Sequence, residues 1–181
     1  VMTGAETKKK SATQAGRQAL AQPGMPMDAG SATGVAADKF GLDDMLCFAI
    51  YGAAHAFNRA YKPLLDPLGL TYPQYLVMMA LWAEDGQKVK ALGERLGLDS
   101  GTLSPLLKRL EQSGLVSRKR DLEDERQVII TLTAEGLELR QRSTNVMGAI
   151  GRATGCNLEE AMTLREALVG LKERLEKAEE G

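Results

Sequence analysis

The sequence predicts a mainly α (α+β) fold with one small hairpin, and three observations carry that prediction. Lys90–Leu96 and Asp99–Gln112 read as short helices joined by the tight turn Gly97-Leu98, a helix-turn-helix pattern. Leu115–Arg120 and Gln127–Leu132 then switch to strand character, the second run rich in β-branched residues, around the polar loop 121–126. Two further helical stretches follow from Thr133, with apolar faces that a chain of 181 residues cannot easily bury alone. The combination is a winged helix-turn-helix with flanking dimerisation helices. It divides the chain into a flexible tail (1–38), N-terminal helices (39–70), a winged helix-turn-helix region (71–133) and C-terminal dimerisation helices (134–181).

Residues 1–38 hold few large apolar side chains and cannot offset their ordering entropy. Lys8, Lys9 and Lys10 leave a basic arm as the alternative to a plain tail. Order is expected from about Phe40, with Asp43 as N-cap and Leu46, Ile50, Ala53, Phe57 and Tyr61 as an apolar stripe. Pro63 should stop or bend that helix near Lys62, leaving one short turn to Leu68 closed by Gly69. Thr71-x-x-Gln74 is a capping box, and Leu76, Met79, Ala80 and Ala83 carry its helix to about Asp85 before Gly86. The next helix turns Ala91, Leu92 and Leu96 inward. Asp99 caps the one after it, Leu103, Leu106, Leu107 and Leu110 form its stripe, and Gly114 ends it. Pro105 fits either a slightly bent helix from Asp99, the reading we favour, or an N1 position after a Ser104 cap. Thr133-x-x-Gly136 opens a helix reaching Val146 or Ile150. Residues 151–157 break it, and Asn157 caps a last helix with Leu158, Met162, Leu164, Leu168 and Leu171 inward.

The net charge is −1, which excludes a uniformly basic polyanion binder, yet charge is uneven. Residues 86–120 hold eight cations against three acids, and residues 156–181 hold four against seven. A local basic patch on a near-neutral chain suits a docking surface for a polyanion. Two cysteines are too few for a secreted disulfide scaffold, no apolar run approaches the ~18 residues of a membrane helix, and the start lacks a signal-peptide core. These features predict a cytoplasmic location with reduced thiols at rest and no membrane partner. No ligand cluster suggests a metal or cofactor, and His55, the only histidine, reads as a surface or satisfied core residue.

Opposite the leucine stripe, the helix from Asp99 presents Gly101, Ser104, Pro105, Lys108, Arg109 and Gln112. Small residues and hydroxyls come first and cations follow. That order suits a helix whose first half lies against base edges while its flank meets phosphates. An ordinary solvated face is the alternative on composition alone. With the neighbouring residues, the candidate DNA contacts are Ser100, Thr102, Ser104, Pro105, Lys108, Arg109 and Lys119.

The order of elements resembles the MarR family of bacterial transcription regulators, most closely over Leu68–Leu132. The segments Leu46–Tyr51, Tyr61–Leu65, Leu70–Tyr75 and Leu98–Leu103 resemble its OhrR subgroup of two-cysteine organic hydroperoxide sensors, and the likeness extends over roughly residues 42–177. The resemblance implies a homodimer on a palindromic double-stranded operator, repressing a peroxide-detoxifying gene. One recognition helix per subunit would enter the major groove, and Arg126 of the wing would enter the minor groove with Asp124 holding its guanidinium. A plain surface ion pair is the alternative for those two.

The resemblance also makes Cys47 the redox sensor and Cys156 its resolving thiol. A cysteine on an apolar helix face is ordinarily an inert small hydrophobe. Tyr51, however, lies four residues on, on the same face. Tyr61 and Tyr72 match family positions whose phenols point at the sensor sulfur from the other subunit, although core aromatics with satisfied hydroxyls are the alternative. Phenol donors and a helix N-terminus favour the reactive thiolate, whereas Asp43 and Asp44 would oppose it. Apolar surroundings from Leu46, Phe48, Ile50 and Phe57 would favour organic hydroperoxides as inducers. The expected product is a disulfide from Cys47 to Cys156 of the other subunit, with capping of Cys47 by a small cellular thiol as the alternative. Two other functions compete. One is a MarR-type repressor released by a small phenolic or lipophilic ligand. The other is a thiol peroxidase, which would leave the basic helix and wing without a purpose, so the chain is expected not to be an enzyme.

Overall fold

The computed structural model describes residues 41–179 apart from 122, 123 and 125. The expected tail and its lysine run lie outside the described residues. Leu42–Asp44 make one 3-10 turn, in which the Gly41 N–H donates to the Asp44 carboxylate at 3.0 Å. Asp43 therefore sits inside a turn and is not the expected N-cap.

Helix α1 spans Leu46–Leu65 and passes through Pro63, where a stop or bend was expected near Lys62; it does not stop there. The missing N–H removes one bond in the last turn, but Leu65 is buried, which is worth about 1.5–3 kcal/mol and offsets much of the ~3 kcal/mol a helix-interior proline costs. The Lys62–Asp66 pair at 2.9 Å also spans the site. A 3-10 turn over Asp66–Leu68 follows and ends at Gly69 with φ 68°.

Helix α2, Tyr72–Ala83, opens on the expected capping box, with the Thr71 N–H donating to Gln74 Oε1 at 2.9 Å. Its buried residues are Gln74, Tyr75, Val77, Met78, Ala80, Leu81 and Trp82, while Leu76, Met79 and Ala83 face outward. Of the stripe expected there, only Ala80 is buried, because this helix is covered around most of its circumference and has no single apolar face. Residues Gln87–Lys88 form an unexpected short strand, β1. It pairs antiparallel with β3 (Val128–Leu132), which pairs with β2 (Val116–Arg120), in the order β1-β3-β2. Buried Gln87 fixes the corner by donating to the Ala80 and Glu84 carbonyls at 2.9 and 2.7 Å. Asp85 accepts the Leu132 N–H at 2.8 Å.

Between β1 and β2 lie α3 (Val89–Leu96) and α4 (Ser100–Gln112). Leu92 is fully buried and Leu96 partly so, but Ala91 is exposed and Gly93 is the buried small residue. A Cβ at Gly93 would lie 2.9 Å from the Leu98 carbonyl oxygen, so the turn packs directly on the helix. Leu103, Leu107 and Leu110 enter a core shared with α2, β2 and β3, and Leu106 is half-buried.

After the sheet, the expected single helix is two: α5 (Ala134–Arg142) and α6 (Thr144–Thr154), hinged at buried Ser143. Glycine 155, at φ 66°, ends α6, later than expected. Helix α7, Leu158–Glu179, starts on a reciprocal cap in which Asn157 Oδ1 and Glu160 Oε2 each accept the other residue's N–H at 2.9 Å. The apolar residues expected to face inward on α7 do not do so within one chain. No residue of α7 is buried, and Leu158 is 78% exposed. On α1 only Tyr61 and Leu65 are buried.

Candidate nucleic-acid interface and thiol site

Helix α4 is held by its ends. Asp99 accepts the Thr102 N–H at 2.8 Å and the Thr102 hydroxyl at 3.1 Å. At the far end the Leu115 N–H reaches the Leu110 carbonyl and Gly114 adopts φ 73°, a Schellman-type stop. One helix runs through Pro105 from Asp99, the geometry favoured from the sequence, with Gly101 at the crowded i−4 position. Ser100, Thr102, Pro105, Lys108 and Arg109 are exposed along its outer side, and Ser104 is half-buried. The Thr102 hydroxyl donates to the cap, leaving its oxygen as an acceptor.

The bonds from Thr102 hold the Asp99 carboxyl below its ordinary range. A depressed folded-state value gives stability that is present above the unfolded value near ~3.9 and is lost as pH falls through the lower folded value. Asp99→Ala is therefore expected to lower the urea midpoint at pH 7, and the gap to the parent should shrink towards pH 2–3. A gap that is constant with pH would show that the charged cap is not what holds the helix start.

In the wing, Lys119 and Arg126 are exposed. Asp124 does not hold the Arg126 guanidinium as expected. Its oxygens accept the Arg126 backbone N–H at 3.1 Å and the Gln127 side-chain amide at 2.8 Å, and these bonds, the amide's first, lower its carboxyl. The carboxylate thus shapes the turn and leaves the guanidinium to solvent. Lys88, part of the basic patch, pairs with Asp121 at 3.1 Å, fastening β1 to the wing base; sequence reading missed this link because β1 is only two residues long.

Cys47 lies in the first turn of α1 and Cys156 between α6 and α7; both are free and exposed. Tyr51, 60% exposed, packs edge-on against His55 at 4.3 Å and beside Phe48 at 6.4 Å. Tyr61 and Tyr72 pack with tilted rings 4.4 Å apart, but Tyr61 is 14 residues beyond Cys47, about 21 Å along one helix. Burial, together with Tyr72 and Tyr75, pushes the Tyr61 phenol up to about 12, so it is a proton donor throughout the physiological range. Its hydroxyl donates to Met147 Sδ at 3.9 Å. A cleft lined by Ala56, Phe57, Ala60, Ile150, Ala153 and Thr154 places the end of α6 against the middle of α1. Cys156 follows two residues later; α6 meets Tyr61 at Met147 and ends at this cleft, so it runs away from the Tyr61 end of α1. Ile50, one turn from Cys47, instead lines a groove with Leu168, Leu171 and Leu175. One chain thus separates Cys47 from Tyr61 and from Tyr72 beside it, while Tyr51 stays one turn away.

A helix-turn-helix with a three-stranded wing and an exposed hydroxyl-then-cation recognition face defines a winged helix-turn-helix DNA-binding protein. Residues 59–142 match the family described as Transcriptional regulator SarA/Rot. The HTH-type transcriptional regulator TtmR of Methylorubrum extorquens (strain PA1) is 52% identical over 138 residues, 76% of this chain and 71% of that protein. The organic hydroperoxide resistance transcriptional regulator of Bacillus subtilis (strain 168) is 45% identical over 138 residues, 76% of this chain and 94% of that protein. Reduced AbfR bound to DNA superposes with a TM-score of 0.64 at 39% identity, covering 76% of this chain and 94% of that one. Disulfide-formed AbfR gives 0.53 at 42% identity over 72% and 91%; AbfR comes from Staphylococcus epidermidis. The chain belongs to the MarR family of transcription regulators.

Proposed function

We propose that the chain works as a homodimeric repressor that organic hydroperoxides release from a palindromic operator. Ser100, Thr102, Ser104 and Pro105 face base edges, Lys108, Arg109 and Lys119 face phosphates, and Arg126 enters the minor groove. The observation that carries the proposal is the distribution of sulfur and phenol along α1. Cys47 stands at one end, and Tyr61 and Tyr72 stand together towards the other. A two-fold axis across α1 and the uncovered α7 would exchange these ends, setting each Cys47 beside the partner's tyrosines, with the partner's second cysteine as the resolving thiol. Burying the exposed Leu158, Met162, Leu164 and Leu168 supplies the drive for association.

The chemistry balances with one peroxide per site. The Cys47 thiolate attacks the distal peroxide oxygen, the O–O bond breaks, and an alcohol leaves with one proton from solvent. The sulfenic acid then condenses with the partner's resolving thiol, forming the S–S bond and releasing water. The bond is assigned between chains, where the two Cα atoms would have to approach to about 4.4–6.8 Å. Cumene hydroperoxide is expected to convert the protein to a covalent dimer on a non-reducing gel, with loss of operator binding, and dithiothreitol should restore both. A monomer carrying an internal disulfide would refute the exchange of ends. Release by a phenolic compound without thiol oxidation would favour ligand control instead.

A further inference from the structure

Lys88 stands where the helix-turn-helix meets the wing. It closes β1 and is the N-cap residue of α3. Helix α3 is tied to α4, because the Leu98 N–H donates to the Gly93 carbonyl at 2.9 Å and closes the turn between them. On the other side, Lys88 and Lys119 both oppose Ile129, so one cross-strand row runs from β1 through β3 to β2. The neighbouring row faces the core, where Gln87 and Ile130 are buried. Strand β1 gives only two residues to this join, so side chains must help to hold its angle. Lys88 Nζ lies 3.1 Å from Asp121 Oδ2, and the carboxylate side chain is only 11% exposed. Asp121 forms the neck of the wing, its N–H donating to the Gln127 carbonyl at 3.0 Å. Gln127 in turn donates its own N–H to the Asp124 carbonyl and its side-chain amide to the Asp124 carboxylate, both at 2.8 Å. That carboxylate also takes the Arg126 N–H. A continuous set of contacts therefore runs from Lys88 through Asp121, Gln127 and Asp124 to the backbone of Arg126. Behind the Gln127 amide and the Arg126 N–H, Asp121 and Lys88 act on the Asp124 carboxyl in opposite directions, so the three charges stand close together.

We infer that Lys88 is a positioning residue for DNA recognition: its bond to Asp121 sets the wing against α4, so that Arg126 meets the minor groove when α4 lies in the major groove. The inference rests on the operator binding proposed above, with Arg126 as the contact made by the wing. Lys88 need not touch DNA for this. A nearly covered carboxylate that loses its cation is costly to keep in place, so the neck would turn to bring it to water. Arg126 would then miss its groove while α4 still docked, and both affinity and discrimination between sequences would fall. Asp121 separates this role from simple electrostatics by the sign of the effect. Removing a negative charge beside a polyanion should tighten binding. If the bridge sets the wing, Asp121→Asn weakens binding to the operator instead.

The test titrates full-length reduced protein against a duplex that the parent selects from a random-sequence pool, and against an unselected duplex of equal length. The parent is compared with Lys88→Met, Asp121→Asn, Arg126→Ala and the pair Lys88→Met with Arg126→Ala, all at a temperature below their thermal transitions. Arg126→Ala is expected to weaken binding to the selected duplex about tenfold or more. Lys88→Met and Asp121→Asn should each weaken it about fivefold, and Asp121→Asn should bind the unselected duplex as well as the parent or better. Once Arg126 is alanine, Lys88→Met should cost nothing further, because both act through one contact. Parent-like binding by Lys88→Met or by a folded Asp121→Asn would overturn the proposal. So would a further fivefold loss in the pair, which would make Lys88 a phosphate contact in its own right. Should Asp121→Asn not fold, Lys88→Met and the pair decide the matter alone. Parent-like binding by Arg126→Ala would remove the wing contact proposed above and this inference with it, whereas failure of the Lys88 variants alone leaves that contact standing.

Discussion

Cys47→Ser is expected to leave operator affinity in reducing buffer unchanged while raising the cumene hydroperoxide concentration for half-release by about 100-fold or more, since a serine hydroxyl stays protonated and attacks peroxide poorly. The substitution changes one exposed atom in the first turn of α1, so it should not disturb the core. Cys156→Ser separates the two chemical steps. Its Cys47 should still reach the sulfenic acid, but with no resolving thiol it should advance to sulfinic acid under excess peroxide and lose its reversibility with dithiothreitol. Operator titrations of the three proteins, each with mass spectrometry of the Cys47 peptide, check both statements. If Cys47→Ser were released at the parent's peroxide concentration, the switch would lie at another residue, and the DNA-binding half of the proposal would stand alone.

The recognition element was legible because its signals are local. Asp99, Gly114 and the leucine stripe each act within a few residues, and together they mark both ends and the inner face of α4. The capping box at Thr71 and the cap at Asn157 were legible for the same reason. Errors arose where a distant partner decides the outcome. Pro63 stays helical because Leu65 is buried, and Ala91 yields its inward place to Gly93 because the Leu98 carbonyl comes close. Strand β1 exists only because β3 offers it an edge, and two residues carry no period of their own. In the wing, the sequence places Asp124 near Arg126, but it does not tell a backbone N–H from a guanidinium as the acceptor's target. The thiol site was legible as a set of residues and not as a place, because one chain keeps Cys47 a helix length away from Tyr61 and Tyr72.

The largest stability effect is expected at Gly136, at the junction of the recognition unit and the C-terminal helices. Its φ is not positive, so backbone freedom is not what requires glycine there. A Cβ would lie 2.1 Å from the Leu115 carbonyl oxygen and 3.3 Å from a Leu132 methyl. The carbonyl belongs to backbone already fixed by the Thr133 N–H at 3.1 Å, and the Thr133 hydroxyl holds the Gly114 carbonyl at 2.6 Å. Gly136 itself donates to that hydroxyl at 3.0 Å and accepts the buried Trp82 indole N–H at 2.8 Å. None of these groups can yield singly. Helix propensity alone would favour alanine by about 1 kcal/mol, but the overlap should dominate and cost about 3 kcal/mol or more. For a chain of this size that corresponds to a fall in Tm of roughly 6–12 °C. Gly151→Ala is the contrast, since a Cβ there meets nothing within 4 Å and should leave Tm unchanged or raise it slightly. The same contact ties the end of α4 and the start of β2 to α5, and so to the helices to which we assign the dimer contact. Gly136→Ala should therefore also weaken operator binding at temperatures where the protein remains folded, by loosening the spacing between the two recognition helices. A variant as stable as the parent, measured by thermal and urea unfolding, would mean that Leu115 and α5 can separate at little cost, and this junction would no longer serve as the rigid link between thiol and DNA.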